Sequence, residues 1–149
     1  MAHSFRAHYF HLIWSTKNRE PLISEEIQAA LYIYIGGIIK NHNGKLLEIG
    51  GMPDHVHLLI GLNVPDKFTD LIKDIKTGST LWINKNTQTK SFAWQEGYGS
   101  FSVSYSSLEK VGDYIKNQEK HHKTSSFDEE FLQLLNKHHI GFDSRFVLG

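Results

Sequence analysis

The sequence predicts an α+β fold: an antiparallel sheet with helices packed on one face, followed by further helices at the C-terminus. Three observations carry this. Residues 7–16 and 55–61 read as apolar, β-rich strands. Segments starting at Ser24 and at Pro65-Asp66 carry apolar residues at helical spacing instead. The two kinds of segment follow one another in the order β-α-β-β-α-β, and then α-α. The chain has 149 residues, 40% of them hydrophobic and 21% charged, which suits one domain, 1–149, around one core.

Taken in order, "AHYFHLIWST" (7–16) alternates and is rich in aromatics, as a strand should be, and "KNREPL" is a loop. Ser24 precedes Glu25 and Glu26, a helix start with acids in its first turn. Ile27, Leu31, Ile35, Ile38 and His42 then recur at helical spacing until "HNGK" ends the helix. Residues 45–51 form a second strand, "GGMPD" turns the chain, and 55–61 form a third. Pro65-Asp66 opens a helix whose apolar side is Phe68, Leu71, Ile72, Ile75, Leu81 and Trp82. "NKNTQTKS" is a polar loop, and "AWQEGYGSFSVSY" an extended segment broken by glycines. Ser107 starts a helix with Leu108, Val111, Ile115 and His122 in register. A last helix runs from about Ser126 to His138, with Phe131, Leu134 and Leu135 as its core face. This is the split-βαβ, ferredoxin-like order, in which the first and third strands are the central pair.

Several classes are disfavoured. Cysteine is absent, so neither a disulfide framework nor a thiolate metal site can form, which suits a reducing compartment. The N-terminus "MAHSFRAHYFHLIW" lacks the basic-then-apolar order of a signal peptide, and "LYIYIGGII" is too short to span a bilayer. The expectation is a cytoplasmic protein with no membrane partner. Sixteen basic and sixteen acidic residues cancel, unlike a general nucleic-acid coat protein. Lys67, Lys73, Lys76, Lys85 and Lys90 nevertheless outnumber the aspartates of segment 65–90.

The chemistry concentrates in two places. In "GGMPDHVHLLIGL", side-chain alternation puts His55, His57 and Leu59 on one face of the third strand and Val56, Leu58 and Ile60 on the other. The second row suits packing beneath the helices. The first presents two imidazoles roughly 6–7 Å apart at their attachment points, close enough to converge on one divalent ion. Two ligands make a weak site, and a hydrogen-bonded pair of surface rings satisfies the same spacing. The other place is "VGDYIKNQEKHHK" (111–123), where Tyr114 and Gln118 sit four apart on one helix face. A phenol is a poor nucleophile unless its proton is taken or its anion stabilised. Gln118 offers a neutral oxygen suited to Mg²⁺ or Mn²⁺. His121 and His122 suit proton carriage, DNA contact, or simply the polar end of a helix. Taken singly, Tyr114 reads as core packing and Gln118 as a solvated side chain.

Together these stretches resemble the single-tyrosine HUH transposases of small bacterial insertion sequences, with the REP-associated tyrosine transposases as close relatives. The matching segments are "HLIWSTKNR" (11–19), "GGMPDHVHLLI" (50–60), "LIKDIKTGSTLWINK" (71–85), "WQEGYGSFSVSYS" (94–106) and "VGDYIKNQEKHH" (111–122). His55-Val56-His57 matches the H-U-H element, and Tyr114 with Gln118 matches Tyr-x-x-x-Gln. The resemblance implies an RRM-like domain whose sheet merges across a homodimer through the "FSVS" strand. It implies a tyrosine helix acting in cis or on the partner subunit, and no nucleotide cofactor. The implied substrate is single-stranded DNA beside hairpins. The implied ion, Mg²⁺ or Mn²⁺, is held by His55, His57 and Gln118, a set that adds no charge, while Tyr114 attacks the phosphorus to give a 5′-phosphotyrosine and a free 3′-OH.

For gripping DNA, Lys73, Lys76, Ser79 and Lys85 are candidates as a group, and Trp82, Trp94 and Tyr98 could stack on splayed bases. The alternative to a transposase is a non-enzymatic or domesticated module that binds nucleic-acid hairpins and keeps a vestigial metal site.

Overall fold

The structure is a computed structural model describing residues 3, 5–63, 67–89, 91–122, 125–143 and 145–147. Its elements run β1 (Tyr9–Ser15), α1 (Glu25–Asn41), β2 (Gly44–Met52), β3 (His55–Leu62), α2 (Phe68–Asn86), β4 (Gly99–Val103), α3 (Leu108–Lys116), the single turn α4 (Gln118–His121) and α5 (Phe127–Lys137). The sheet order is β2-β3-β1-β4, all antiparallel, so β1 and β3 are the central pair. The expected α+β architecture and strand order are therefore present. Among the described residues, no helix is long and apolar enough to cross a membrane.

The two faces of the sheet are built differently. Leu12, Trp14, Val56, Leu58 and Ile60 form the main core with Leu31, Ile35 and Ile39 of α1 and Leu71, Ile72, Ile75 and Ile83 of α2. Ser24 caps α1 by accepting from the Ile27 amide. The Pro65-Asp66 opening of α2 lies outside the described residues, and within the helix the apolar stripe differs from expectation. Leu81 is 66% exposed, and Ile83 takes its place in the core. The stripe simply continues at i+4 and i+8 from Ser79 and Ile75.

On the opposite face a smaller core joins Ile13 and Phe101 to Phe127, Phe131 and Leu135 of α5. The C-terminal helices thus cover the histidine face, which the sequence alone left open. α5 starts on Ser126, whose hydroxyl accepts from the Glu129 amide. Two close approaches make this possible. A Cβ on Gly50 would lie 2.3 Å from the Ile115 carbonyl oxygen, and one on Gly99 would lie 2.6 Å from the Phe131 ring. Gly50→Ala therefore pushes α3 off the sheet. A loss of about 1–3 kcal/mol is expected, read from urea unfolding. An unchanged midpoint contradicts the close approach.

Candidate metal and tyrosine site

His55 and His57 leave β3 on the face covered by α3–α5, and both are fully buried. The strand register sets His57 between Ile13 of β1 and Gly50 of β2, and His55 between Ser15 and Met52. Gly50 gives His57 room to stand beneath the tyrosine helix. That helix is not continuous. α3 ends at Lys116, Asn117 turns the backbone, and Gln118 opens α4. The break still leaves Gln118 beside Tyr114, since its Nε2 donates to the Tyr114 carbonyl at 3.3 Å.

Four groups converge. One ligating atom each from His55, His57, His122 and Glu130 lies within 4.8 Å of all the others. Gln118 Oε1 joins them, 3.1 Å from His55 Nε2 and 3.0 Å from His122 Nε2. Glu130 Oε1 lies 2.9 Å from His57 Nε2 and 3.1 Å from His122 Nε2. The other oxygen of Glu130, Oε2, accepts the hydroxyl of Tyr114. The Tyr114 ring meets the His57 ring edge-on at 5.8 Å between centroids.

The hydrogen bonds behind the rings decide what this cluster can hold. His122 Nδ1 is 2.7 Å from the Ser125 carbonyl, which can only accept, so Nδ1 carries the proton and Nε2 presents a lone pair. His55 Nδ1 donates to Asp54 Oδ1 at 2.7 Å, which turns its Nε2 inward in the same way. His57 Nδ1 pairs with His11 Nε2 at 2.8 Å. Burial, reinforced by the neighbouring His57, drives His11 down to about 3, so its ring is neutral. Burial likewise lowers His57, against the opposing pull of Glu130. The lone pairs of His55 and His122 thus point at Gln118 Oε1, and that of His122 also at Glu130 Oε1, across about 3 Å, whereas His57 Nε2 donates to Glu130 when it carries the proton. Acceptors facing acceptors in a buried site need positive charge between them, and this donor set fits a divalent cation.

Glu130 and Tyr114 are linked electrostatically. Burial pushes Glu130 up, but the hydrogen bond and charge of His57, with the Tyr114 hydroxyl, outweigh it and hold the carboxyl well below the usual range. Burial, then the hydrogen bond to Glu130 and its charge, pushes Tyr114 well above the usual phenol range. The hydroxyl is therefore protonated and donating.

The sequence-derived residues fare unequally. His55, His57, Gln118 and Tyr114 are brought together within one chain. The side chain of His121 lies outside the described residues, whereas His122 belongs to the cluster rather than to a helix end. The DNA-gripping group does not stay together. Ser79 is buried, donating to the Ile75 carbonyl at 2.6 Å and accepting from Trp94 Nε1 at 2.8 Å, so it presents nothing to a phosphate. Lys76 donates to the carbonyls of Gln95, Glu96 and Gly97 at 2.6, 3.0 and 2.9 Å. Burial lowers it to about 8. It clasps the segment leading to β4, whereas Lys73 and Lys85 are exposed. Trp94 is buried and Trp82 stacks on Tyr34 at 5.6 Å, which leaves Tyr98 the accessible ring of the three.

Three participants were missed: Glu130, His11 and Asp54. Glu130 falls on the apolar stripe of α5, three residues after Phe127, where a carboxylate is out of place unless it has a partner. Asp54 directly precedes His55. Asp54→Ala is expected to weaken Mn²⁺ binding by about 10–100-fold in calorimetric titration, because it frees the His55 ring to turn. Equal affinity would show that Asp54 does not orient the ligand.

Residues 4–118 match the family described as transposase, IS200 like. The chain belongs to that family. The resemblance carried by the five sequence stretches is thereby borne out at family level. The ISDra2 transposase TnpA of Deinococcus radiodurans is 25% identical over 115 residues, 73% of this chain and 82% of that protein. A crystal structure of a candidate transposase from Deinococcus radiodurans R1 has a TM-score of 0.64 at 25% identity, covering 79% of this chain and 95% of that one. The REP-associated tyrosine transposase bound to a REP hairpin shares the fold alone, at a TM-score of 0.58 and 17% identity over 77% of this chain and 70% of that one. The family match ends at Gln118, so within this IS200-like chain His122 and Glu130 are contributed by the segment that follows.

Proposed function

We propose that the protein cleaves and rejoins single-stranded DNA at hairpin-flanked ends through a 5′-phosphotyrosine, with Tyr114 as nucleophile and His55, His57, Gln118, His122 and Glu130 around a divalent cation. The observation that carries this reading is the shared carboxylate: Glu130 turns one oxygen to the imidazoles and the other to the Tyr114 hydroxyl. A nucleophile and a cation pocket joined by one side chain suit in-line phosphoryl transfer to a phenol.

When bound, Mg²⁺ or Mn²⁺ supplies charge that offsets Glu130 and polarises a non-bridging phosphate oxygen. Three imidazoles among the donors favour Mn²⁺. Glu130 also replaces the charge-neutral ligand set with one that carries a negative charge. Tyr114 Oη bonds to phosphorus as the P–O3′ bond breaks; the phenolic proton leaves through the Glu130 Oε2 hydrogen bond, and the departing 3′ oxygen takes a proton from solvent on the opposite side. A 3′-OH attacking the phosphotyrosine later reverses these bonds, with no nucleotide cofactor.

The core sheet is ferredoxin-like in this reading. A homodimer would form by pairing the outer edge of β4, which bonds only β1 among the described residues. Because Tyr114 already meets His57 in one chain, such a dimer need not exchange helices. The test is denaturing electrophoresis after mixing the protein with labelled, hairpin-bearing single-stranded DNA and Mn²⁺. A protein-linked DNA band is expected. Hairpin binding without it favours the non-enzymatic module instead.

A further inference from the structure

Beside Tyr114 lies a cavity of about 520 Å³, between β4, the start of α3 and the C-terminal end of α5. It is separate from the acceptor cluster and none of its lining residues plays a part in the chemistry above, except Tyr114 at its inner wall and His11, which pairs with His57. Its lining is one-sided in charge. Lys110 reaches it from α3 and Lys137 from α5, hydroxyls come from Ser102, Ser104 and Ser107, and no lining residue is acidic. It also contains an aromatic shelf: the His138 ring stacks on Phe101 at 4.5 Å and 22°, and His138 is exposed to solvent. Burial, followed by the adjacent charges of Lys137 and His139, keeps the His138 ring below its ordinary value, which favours the neutral, stacking form.

A flat ring to stack on, cations from two separate helices, hydroxyls and a volume within the range of small-ligand sites match one chemical class, the nucleotide. We infer that this cleft seats a single nucleotide of the substrate strand adjoining the scissile phosphate, its base on the exposed His138 ring that buried Phe101 backs and its phosphates against Lys110 and Lys137. The inference rests on the strand-transfer reading for its substrate, and it deepens it by naming where the reacting nucleotide sits. It also moves the DNA grip from α2 to the side of the molecule where Tyr114 is. Lys110 and Lys137 have no part in the acceptor cluster, so their loss tests the cleft apart from the cation pocket.

The test compares the full-length protein with the Lys110→Ala/Lys137→Ala double variant and with His138→Ala. Fluorescence anisotropy of a fluorescein-labelled single-stranded oligonucleotide gives affinity, and single-turnover formation of the protein-linked band gives rate. The double variant is expected to bind about tenfold more weakly, with the salt slope of log affinity reduced by about 1.4, as two lost contacts to a single strand require. Its single-turnover rate at subsaturating DNA should fall in step with the affinity. His138→Ala should abolish the parent's preference for an intact base over an abasic nucleotide next to the cleavage point. Parental affinity and salt slope in the double variant overturn the cleft, even if the covalent band forms and the strand-transfer reading stands. Lysine-dependent binding without any covalent band supports the cleft and sinks the strand-transfer reading. Absence of any binding to single-stranded DNA overturns both.

Discussion

Tyr114→Phe is expected to abolish the protein-linked DNA product while binding to hairpin-bearing DNA stays within about twofold of the parent. The substitution removes one oxygen atom and keeps the ring that packs edge-on against His57. The lost hydroxyl is both the proposed nucleophile and a donor to Glu130. Removing a nucleophile that acts as a unit with its neighbours costs about 10⁶-fold in rate, which is below detection in a gel assay. The effect on stability should be much smaller. Glu130 keeps its contact with His57, so the loss of one hydrogen bond amounts to about 1 kcal/mol. A protein-linked band that persists in Tyr114→Phe would assign the nucleophile to another residue. Cleavage that persists without a linked band would identify a hydrolase with no covalent intermediate.

The second large effect is expected at His57. His57→Ala removes one ligating nitrogen from the cluster and the partner of His11, both in a buried setting. Cleavage at saturating Mn²⁺ should fall by about 10²–10³-fold or more, as when one preorganised group is taken from a charge-stabilising site. DNA binding should survive, since the surfaces proposed to hold the strand lie elsewhere. The cavity left under α3 makes a folding defect the rival explanation, and two measurements separate the cases. Far-ultraviolet circular dichroism shows whether the sheet is intact, and His57→Asn fills more of the space while still failing to place a nitrogen where Nε2 was. A folded His57→Asn that cleaves at the parental rate would show that His57 is a core residue and no ligand. Loss of fold in both variants, with cleavage tracking the folded fraction, would lead to the same conclusion.

Both results bear on how the site is assembled. The elements that carry the two motifs are locally encoded. Alternation along β3 separates Val56, Leu58 and Ile60 from His55, His57 and Leu59, and the structure places the first row in the core beneath α1 and α2. The Ser24 and Ser126 caps, the β2–β3 turn and the strand order are legible for the same reason: each depends on neighbours in sequence or on simple periodicity. Phe127 and Glu130 are three residues apart and share a helix face, so even the out-of-place carboxylate leaves a trace in the pattern.

What the sequence alone determined was therefore the α+β architecture, the facing of the two histidines and the pairing of Tyr114 with Gln118. Only the tertiary structure decided that α5 folds back over the histidine face, and this makes Glu130 both a partner of the imidazoles and the acceptor for Tyr114. On the other face, packing around α2 buried Ser79 against Trp94 and committed Lys76 to the carbonyls of Gln95, Glu96 and Gly97, which occupies the groups whose residue types suggested DNA contact. The physical reason is range. Hydrogen bonding along a helix or strand and side-chain periodicity act between near neighbours, whereas burial and the direction of a proton depend on which distant segment closes over the site. Here that segment contacts β3 across more than seventy residues of chain.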